Sequence, residues 1–543
     1  MHNDGPVKHG GALAASAVMA VLVFANPGDI AADASTATTA PAPAVRATDW
    51  PVYHHDAGGS GVDTSGVQLS AARSVWTSPV LDGDLFGEPL AVGNTVYVAT
   101  ENDTVYALNG TDGSVIWSTH VASPVPSAEL PCGDISPVEG FTGTPVIDTV
   151  RSELFAVADE QVHGEPAHML IGINIANGSV ELRQSIDPVG AATPALLQRT
   201  ALTVTNGNVV FGYGGNYGDC SSYHGWVVSV PEAGGTPTMF EADSASGESQ
   251  GAVWMGGGAP VIDTSGNIWV AVGNGSVTTN GTYDNSDSVL ELSPSLHILQ
   301  YFAPTDWYTD NGNDRDLGSS VPALMGNGLV VQGGKSQTAF LLRQSDLGGI
   351  GGQLTQLKPI CGQDFDGGVA FMGGVVYLPC QSGVVALTAG TSPPSLRLLW
   401  QTSSGSGGPP IVAGGFVWSI SSGGTLFGLD PNSGAPVQQF SLGQEANHFP
   451  TPSVGDGLLL APSADQVHAF EGVATASGTT VPTTTVPAAT SAPLHHGTTE
   501  EAGGSGDKAG WLWVLLVVGG ALVVFAGVIL LGRRRAHRRP RTR

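Results

Sequence analysis

The chain between Asp49 and Gly472 repeats one pattern of apolar and polar positions. A Pro or Gly opens a short apolar segment. A turn, an aromatic-rich strand, a second turn and a third strand follow, and a Gly turn with a last strand often completes the unit. The stretch "VYVATENDTVYALNGTDGSVIW" (Val96–Trp117) shows three such strands cut by two turns, with a tryptophan at the end. Equivalent openings begin at Glu88, Gly143, Thr200, Gly258, Ser320, Gly367, Gly408 and Thr451. Eight openings predict eight four-stranded units, and no long amphipathic helix interrupts them. The eighth unit stops at "QVHAFEG" without a fourth strand, while "ARSVWTSPV" (Ala72–Val80) stands unpaired at the other end with Trp76 in the position of Trp117 and Trp400. An N-terminal strand that completes the last unit closes a ring and removes the exposed sheet edges. The predicted fold is therefore an all-β, eight-bladed β-propeller closed by an N-terminal strand, with a single C-terminal transmembrane helix.

The flanks predict the remaining organisation. Residues 1–34 carry the apolar run Ala12–Ala25 behind Lys8, with the small-residue site Ala32-Asp33-Ala34, and read as a signal peptide. Residues 35–48 and the Thr/Pro/Ala/Gly-rich 473–510 lack periodicity and read as linkers on either side of the propeller, 49–472. Trp511–Gly532 holds no charge over 22 residues. At 1.5 Å per residue such a helix crosses a hydrocarbon core of about 30 Å. The basic tail 533–543 follows at once and points to the cytoplasm, which puts the propeller on the extracytoplasmic side of the cell membrane.

Charge narrows the partners. The formal net charge is −27, and the tail contains seven arginines, so the rest of the chain carries about −34. A body this acidic repels phosphate backbones and excludes nucleic acid as a partner. The four cysteines, Cys132, Cys220, Cys361 and Cys380, have no metal-ligand spacing, and an exported chain permits disulfides. In the propeller frame Cys132 and Cys220 occupy same-face loops over neighbouring blades, and Cys361 enters blade six, whose second strand Cys380 ends. This predicts the pairs Cys132–Cys220 and Cys361–Cys380 out of three possible pairings.

Three stretches place polar groups on the face where the loops between blades and the middle loops of each blade emerge. Gly273–Val289 contains Asp284, Asn285 and Asp287; Trp307–Ser320 contains Asp310, Asp314, Arg315 and Asp316; Val330–Leu342 contains Lys335. Carboxylates, an amide and a lysine on adjacent loops suit a hard cation and an anionic ligand. As turn formers in polar loops, the same residues need no ligand at all. The adjacent His54 and His55 in "YHHD" would point to opposite faces of a strand, which favours a structural role over metal binding.

"ALNGTDGSVIW" (Ala107–Trp117) and "GLDPNSGAPVQQF" (Gly428–Phe440) resemble the tryptophan-docking repeat of pyrroloquinoline-quinone propellers. The middle of the chain is similar to quinoprotein alcohol dehydrogenases: "WMGGGAPVID" leads to Gly273-Asn274, then Asn285, then Asp314-Arg315-Asp316, then Lys335. That resemblance implies Asn285 as a calcium ligand, Asp314 as the general base and Lys335 as the quinone contact, with pyrroloquinoline quinone and calcium as cofactors. The chain departs from the family pattern in three places. It has no adjacent cysteines to clamp the quinone, Pro260 stands near the expected tryptophan, and the calcium-binding glutamate is missing from Tyr213–Trp226. Asp219, or Asp316, is left to replace that glutamate. The expectation is thus a non-enzymatic module with no bound cofactor that engages a protein or envelope ligand through its loop face. The alternative is a quinone- and calcium-dependent alcohol or sugar dehydrogenase.

Overall fold

The computed structural model describes residues 48–244, 247–362, 364–402 and 407–472. These form eight antiparallel blades arranged as the repeat predicts. Blade one runs Leu90–Val92, Thr95–Thr100, Thr104–Asn109 and Val115–His120, each strand paired with the next. Burial grades outward along each blade. The two middle strands of blade four, Ile268–Val272 and Ser288–Leu292, are buried at every residue. The outermost strands Val115–His120, Val180–Ser185 and Pro436–Ser441 alternate with solvent. A sheet covered by neighbours on both faces reads as a continuous apolar run, and one open to water alternates.

The ring closes as expected. Ala72–Thr77 pairs antiparallel with Gln466–Gly472 and becomes the outermost strand of blade eight. The tryptophan docks explain how blades hold together. Trp76 donates its indole N–H to Gly110 O at 2.7 Å, Trp117 to Ile175 O at 3.2 Å and Trp400 to Pro431 O at 2.8 Å, each on the following blade. Each ring also covers a glycine of that blade's outer turn: Gly113, Gly178 or Gly434. Both disulfides form as predicted, Cys132–Cys220 and Cys361–Cys380, each with a Cα–Cα separation of 6.0 Å.

The repeat pattern does not foretell the segment ahead of the closing strand. Residues 48–63 are not a strand but a stopper across the axis, touching the innermost strands in turn. Trp50 exchanges backbone hydrogen bonds with Ala91 of blade one, and Pro51 O accepts from Ile147 N of blade two. Ala57 O accepts from Ile262 N of blade four, Ser60 O from Phe371 N of blade six, and Gly61 O from Val412 N of blade seven. Trp50 is fully buried, and Tyr53 stacks on His54 at 4.3 Å. The strand geometry expected for "YHHD" is corrected here: His54 and His55 both have positive φ, which turns the chain inside the channel. His54 Nδ1 lies 3.0 Å from Val369 O, and its backbone N–H donates to Glu88 at 2.8 Å. Burial pushes the His54 imidazole down to about 4, so it stays neutral.

Among the described residues no helix is long and apolar enough to cross a membrane. The run Trp511–Gly532, the signal segment and both spacers lie outside the described residues, apart from Thr48.

Candidate functional site on the loop face

Three loops meet where the sequence placed its polar groups. The connection from blade four to five contains a short helix, Trp307–Asn311, and a single turn at Leu317–Ser319. Asp316 lies just before that turn and ties the loops together. Its carboxylate accepts from the Asn274 N–H at 2.6 Å and pairs with Lys335 Nζ at 2.8 Å, while its carbonyl accepts from the Lys335 N–H at 2.9 Å. Asp314 pairs with Lys335 Nζ at 2.9 Å and accepts from Asn274 Nδ2 at 3.1 Å. This close approach requires Gly273, where a Cβ would sit 2.5 Å from the Asp316 carboxylate. Burial draws Lys335 downward, but Asp316 and Asp314 outweigh it and hold the ammonium above its usual range.

The structure therefore brings Asp314, Asp316 and Lys335 together, with Asn274 as the fourth member. It does not bring Asn285. That amide donates to Ala242 O at 2.9 Å, at the end of blade three's outer strand. Asn274 was legible only as the second residue of the Gly-Asn pair, and the three asparagines of that loop, Asn274, Asn280 and Asn285, cannot be ranked by spacing. Asp219 accepts from the Tyr223 hydroxyl at 2.7 Å. Burial raises its carboxyl, and the charges of Asp316, Lys335 and Asp314 reach it, so it borders the cluster.

The aromatic wall also differs from expectation. Pro260 lines a small cavity with Tyr53, His54 and Val321 beside the stopper. The ring at the polar cluster is Trp254, six residues earlier, with Lys335 Nζ 5.3 Å above it and Phe449 at 6.0 Å. Arg199 lies against the same Phe449 ring. Its guanidinium lies 5.8 Å from the Phe86 ring and 5.5 Å from Phe449, and donates to His448 O. Burial lowers Arg199 to about 10, so it remains a cation at neutral pH.

The quinone and calcium that the resemblance implies can be tested against these atoms. One face of Trp254 is taken by Lys335, and Phe449 packs tilted against the same indole. Both aspartates pair with one lysine, which leaves the trio a single net negative charge. Of the quartet's side-chain atoms, Asn274 Oδ1 is buried without a partner, against the 6–8 oxygens calcium takes. Among the described residues no three His, Cys, Asp or Glu side chains stand at metal-ligand spacing. The arrangement does not fit a sandwiched quinone over calcium.

The family model described as outer membrane protein assembly factor BamB matches residues 64–272. No curated protein sequence matches the chain. Among solved structures, the quinohemoprotein alcohol dehydrogenase from Comamonas testosteroni is similar with a TM-score of 0.56 at 16% identity, over 80% of this chain and 82% of that one. A quinohemoprotein alcohol dehydrogenase from Pseudomonas putida HK5 gives 0.59 at 14% identity, over 78% and 80%. A europium-containing methanol dehydrogenase gives 0.57 at 12% identity, over 78% and 98%. At such identities these structures share the fold and nothing finer. The described residues thus form an eight-bladed propeller, tryptophan-docked at the seams of Trp76, Trp117 and Trp400, that shares its fold with these structures and matches the family model over residues 64–272.

Proposed function

We propose that this chain is a non-enzymatic binding propeller, anchored by Trp511–Gly532, whose loop face engages a protein or cell-envelope ligand outside the cytoplasm. One observation carries the reading. Lys335 is paired with both Asp314 and Asp316, so the groups that would contact a quinone and a metal are spent on one another. Calorimetry of the purified full-length protein with pyrroloquinoline quinone and calcium is expected to show no tight binding. Micromolar binding, together with dye reduction by an alcohol that disappears in Asp314→Ala or Asp316→Ala, overturns the proposal.

Two features favour the dehydrogenase alternative: the indole of Trp254 at the cluster and the unpartnered Asn274 Oδ1. The same calorimetry decides between the readings. Photo-crosslinkers at Tyr217 on the loop face and at Val180 on an outer strand, both exposed, test the binding face. The binding reading expects one recurrent adduct from Tyr217 and none from Val180. Truncation before Trp511 is expected to release a folded chain from the membrane, and continued membrane association after signal cleavage would refute the single anchor.

A further inference from the structure

Four carboxylates meet at the seam between blades one and two, apart from the Lys335 cluster. Glu101 and Asp103 belong to the middle loop of blade one, Glu139 to the entry of blade two, and Asp159 to that blade's second strand. They are 3%, 0%, 1% and 4% exposed. Burial of this depth demands partners, yet Glu101 Oε1, both Asp103 oxygens, Glu139 Oε1 and Asp159 Oδ1 have none. His168 is fully buried and held by Asp187 through Nδ1 at 2.7 Å. Its unpartnered Nε2 points into the cluster, 4.0 Å from Asp159 Oδ1.

The surrounding charges do not neutralise the group. Arg183 pairs with Glu160 at the rim, and Arg199 reaches Glu101 only through its field while its contacts go to His448, Phe86 and Phe449. The other charged groups facing the four are acidic: Asp82, Asp84, Asp134, Glu160 and Asp187. Four ionised carboxylates in this space would repel one another without water to screen them. A metal would relieve this repulsion, but the side chains do not stand at ligand spacing. Protons remain.

We propose that Glu101, Asp103, Glu139 and Asp159 form a proton-held lock that closes the blade one–blade two seam in acid and loosens it in alkali. The coupling to structure is direct. Glu101 Oε2 accepts from the Gly140 N–H at 2.7 Å and from the Thr142 hydroxyl at 3.1 Å, bonds that an ionised Glu101 keeps, while the Phe141 N–H donates across the seam to Thr100 O at 3.4 Å, so repulsion among the four carboxylates falls on the joint between the blades. Glu139 and Asp159 lie against each other, and the charge of Glu139 adds to burial in raising the Asp159 carboxyl. Burial pushes Glu101 up to about 7, and burial also raises Asp103, Glu139 and Asp159. A carboxyl raised in the folded state contributes stability that is full below its unfolded value and lost as pH climbs through the folded one. The window therefore opens above pH 4–5 and closes around pH 7 to 8.

Thermal unfolding of the full chain from pH 5 to 8.5 should show a midpoint that falls with pH, and Glu139→Gln and Asp103→Asn should each flatten the fall. Amide exchange in the unmodified protein gives a second, local reading. Corrected for base catalysis, the Phe141 amide, bonded across the seam to Thr100 O, should lose protection between pH 6 and 8.5, while the Lys335 amide, bonded to Asp316 O, should not. An unchanged pH slope in both variants, or constant Phe141 protection, overturns the lock. So does calcium that restores the midpoint at pH 8.5 and is reversed by a chelator, which would make the cluster a cation site.

Discussion

Replacing Trp76 with alanine tests whether the ring depends on its closing dock. Trp76 is 7% exposed, wedged between blade eight and blade one, with its ring over Gly113 and its N–H on Gly110 O at 2.7 Å. Truncating a buried tryptophan costs about 3–5 kcal/mol, the sum of lost transfer energy and the cavity left behind. Trp76→Phe keeps most of the apolar area and removes the donor, so it should cost about 1–2 kcal/mol, mainly from stranding the Gly110 carbonyl. Gly113→Ala attacks the same seam from the other side. Its φ is +72, and the new Cβ would stand 2.6 Å from Trp76 Cε3, for a loss of roughly 1–3 kcal/mol. Equilibrium urea unfolding reads all three, and Gly113→Ala placed on Trp76→Ala should cost less than on the unmodified protein, because the clash has gone. A Trp76→Ala loss below about 1 kcal/mol, or full additivity with Gly113→Ala, refutes the argument that the indole locks the closure.

The Cys132–Cys220 bridge spans 88 residues and Cys361–Cys380 spans 19; chain entropy alone assigns about 4–5 and about 3 kcal/mol to them, so the serine variants should lose stability in that order on denaturation. Lys335→Met leaves Asp316, 6% exposed, without its cation; with Asp314 largely in solvent the loss should be about 1–3 kcal/mol, read as a lower urea midpoint that Asp316→Asn in the same chain partly restores. Trp50→Ala removes a fully buried ring from the stopper and should cost about 3–5 kcal/mol, with exchange accelerating first at the Ala91 and Ile147 amides that face it.

Much of the ring was legible because its signals are local. Turn residues and apolar segments recur within a few positions, and the unpaired strands at the two ends, Ala72–Val80 and "QVHAFEG", have one way to satisfy their edges. The disulfides followed from the same frame, since the up-and-down order of strands decides which loops share a face. The site was legible only in part. The loops of Asp314, Asp316 and Lys335 are adjacent by topology, and their side chains meet. Which asparagine joins them, and which ring flanks them, depends on side-chain direction at the ends of strands. There the chain leaves the regular pleat, and spacing no longer fixes orientation. Asn285 bonds to Ala242 O and Pro260 lines the cavity beside the stopper, while Asn274 and Trp254 are the residues in contact with the Asp314, Asp316 and Lys335 group.

The sequence by itself determined the blade count, the closure and the thiol pairing, each set by short-range pattern plus one topological rule. Only the tertiary structure decided the stopper and the carboxylate seam. Residues 48–63 have no periodicity, and their hydrogen-bond partners run from Ala91 to Val412. Glu101, Asp103, Glu139 and Asp159 are unremarkable acids along the chain. They become a buried, cation-poor cluster only when two blades are pressed together, because desolvation is a property of the assembled packing and not of any residue's neighbours in sequence.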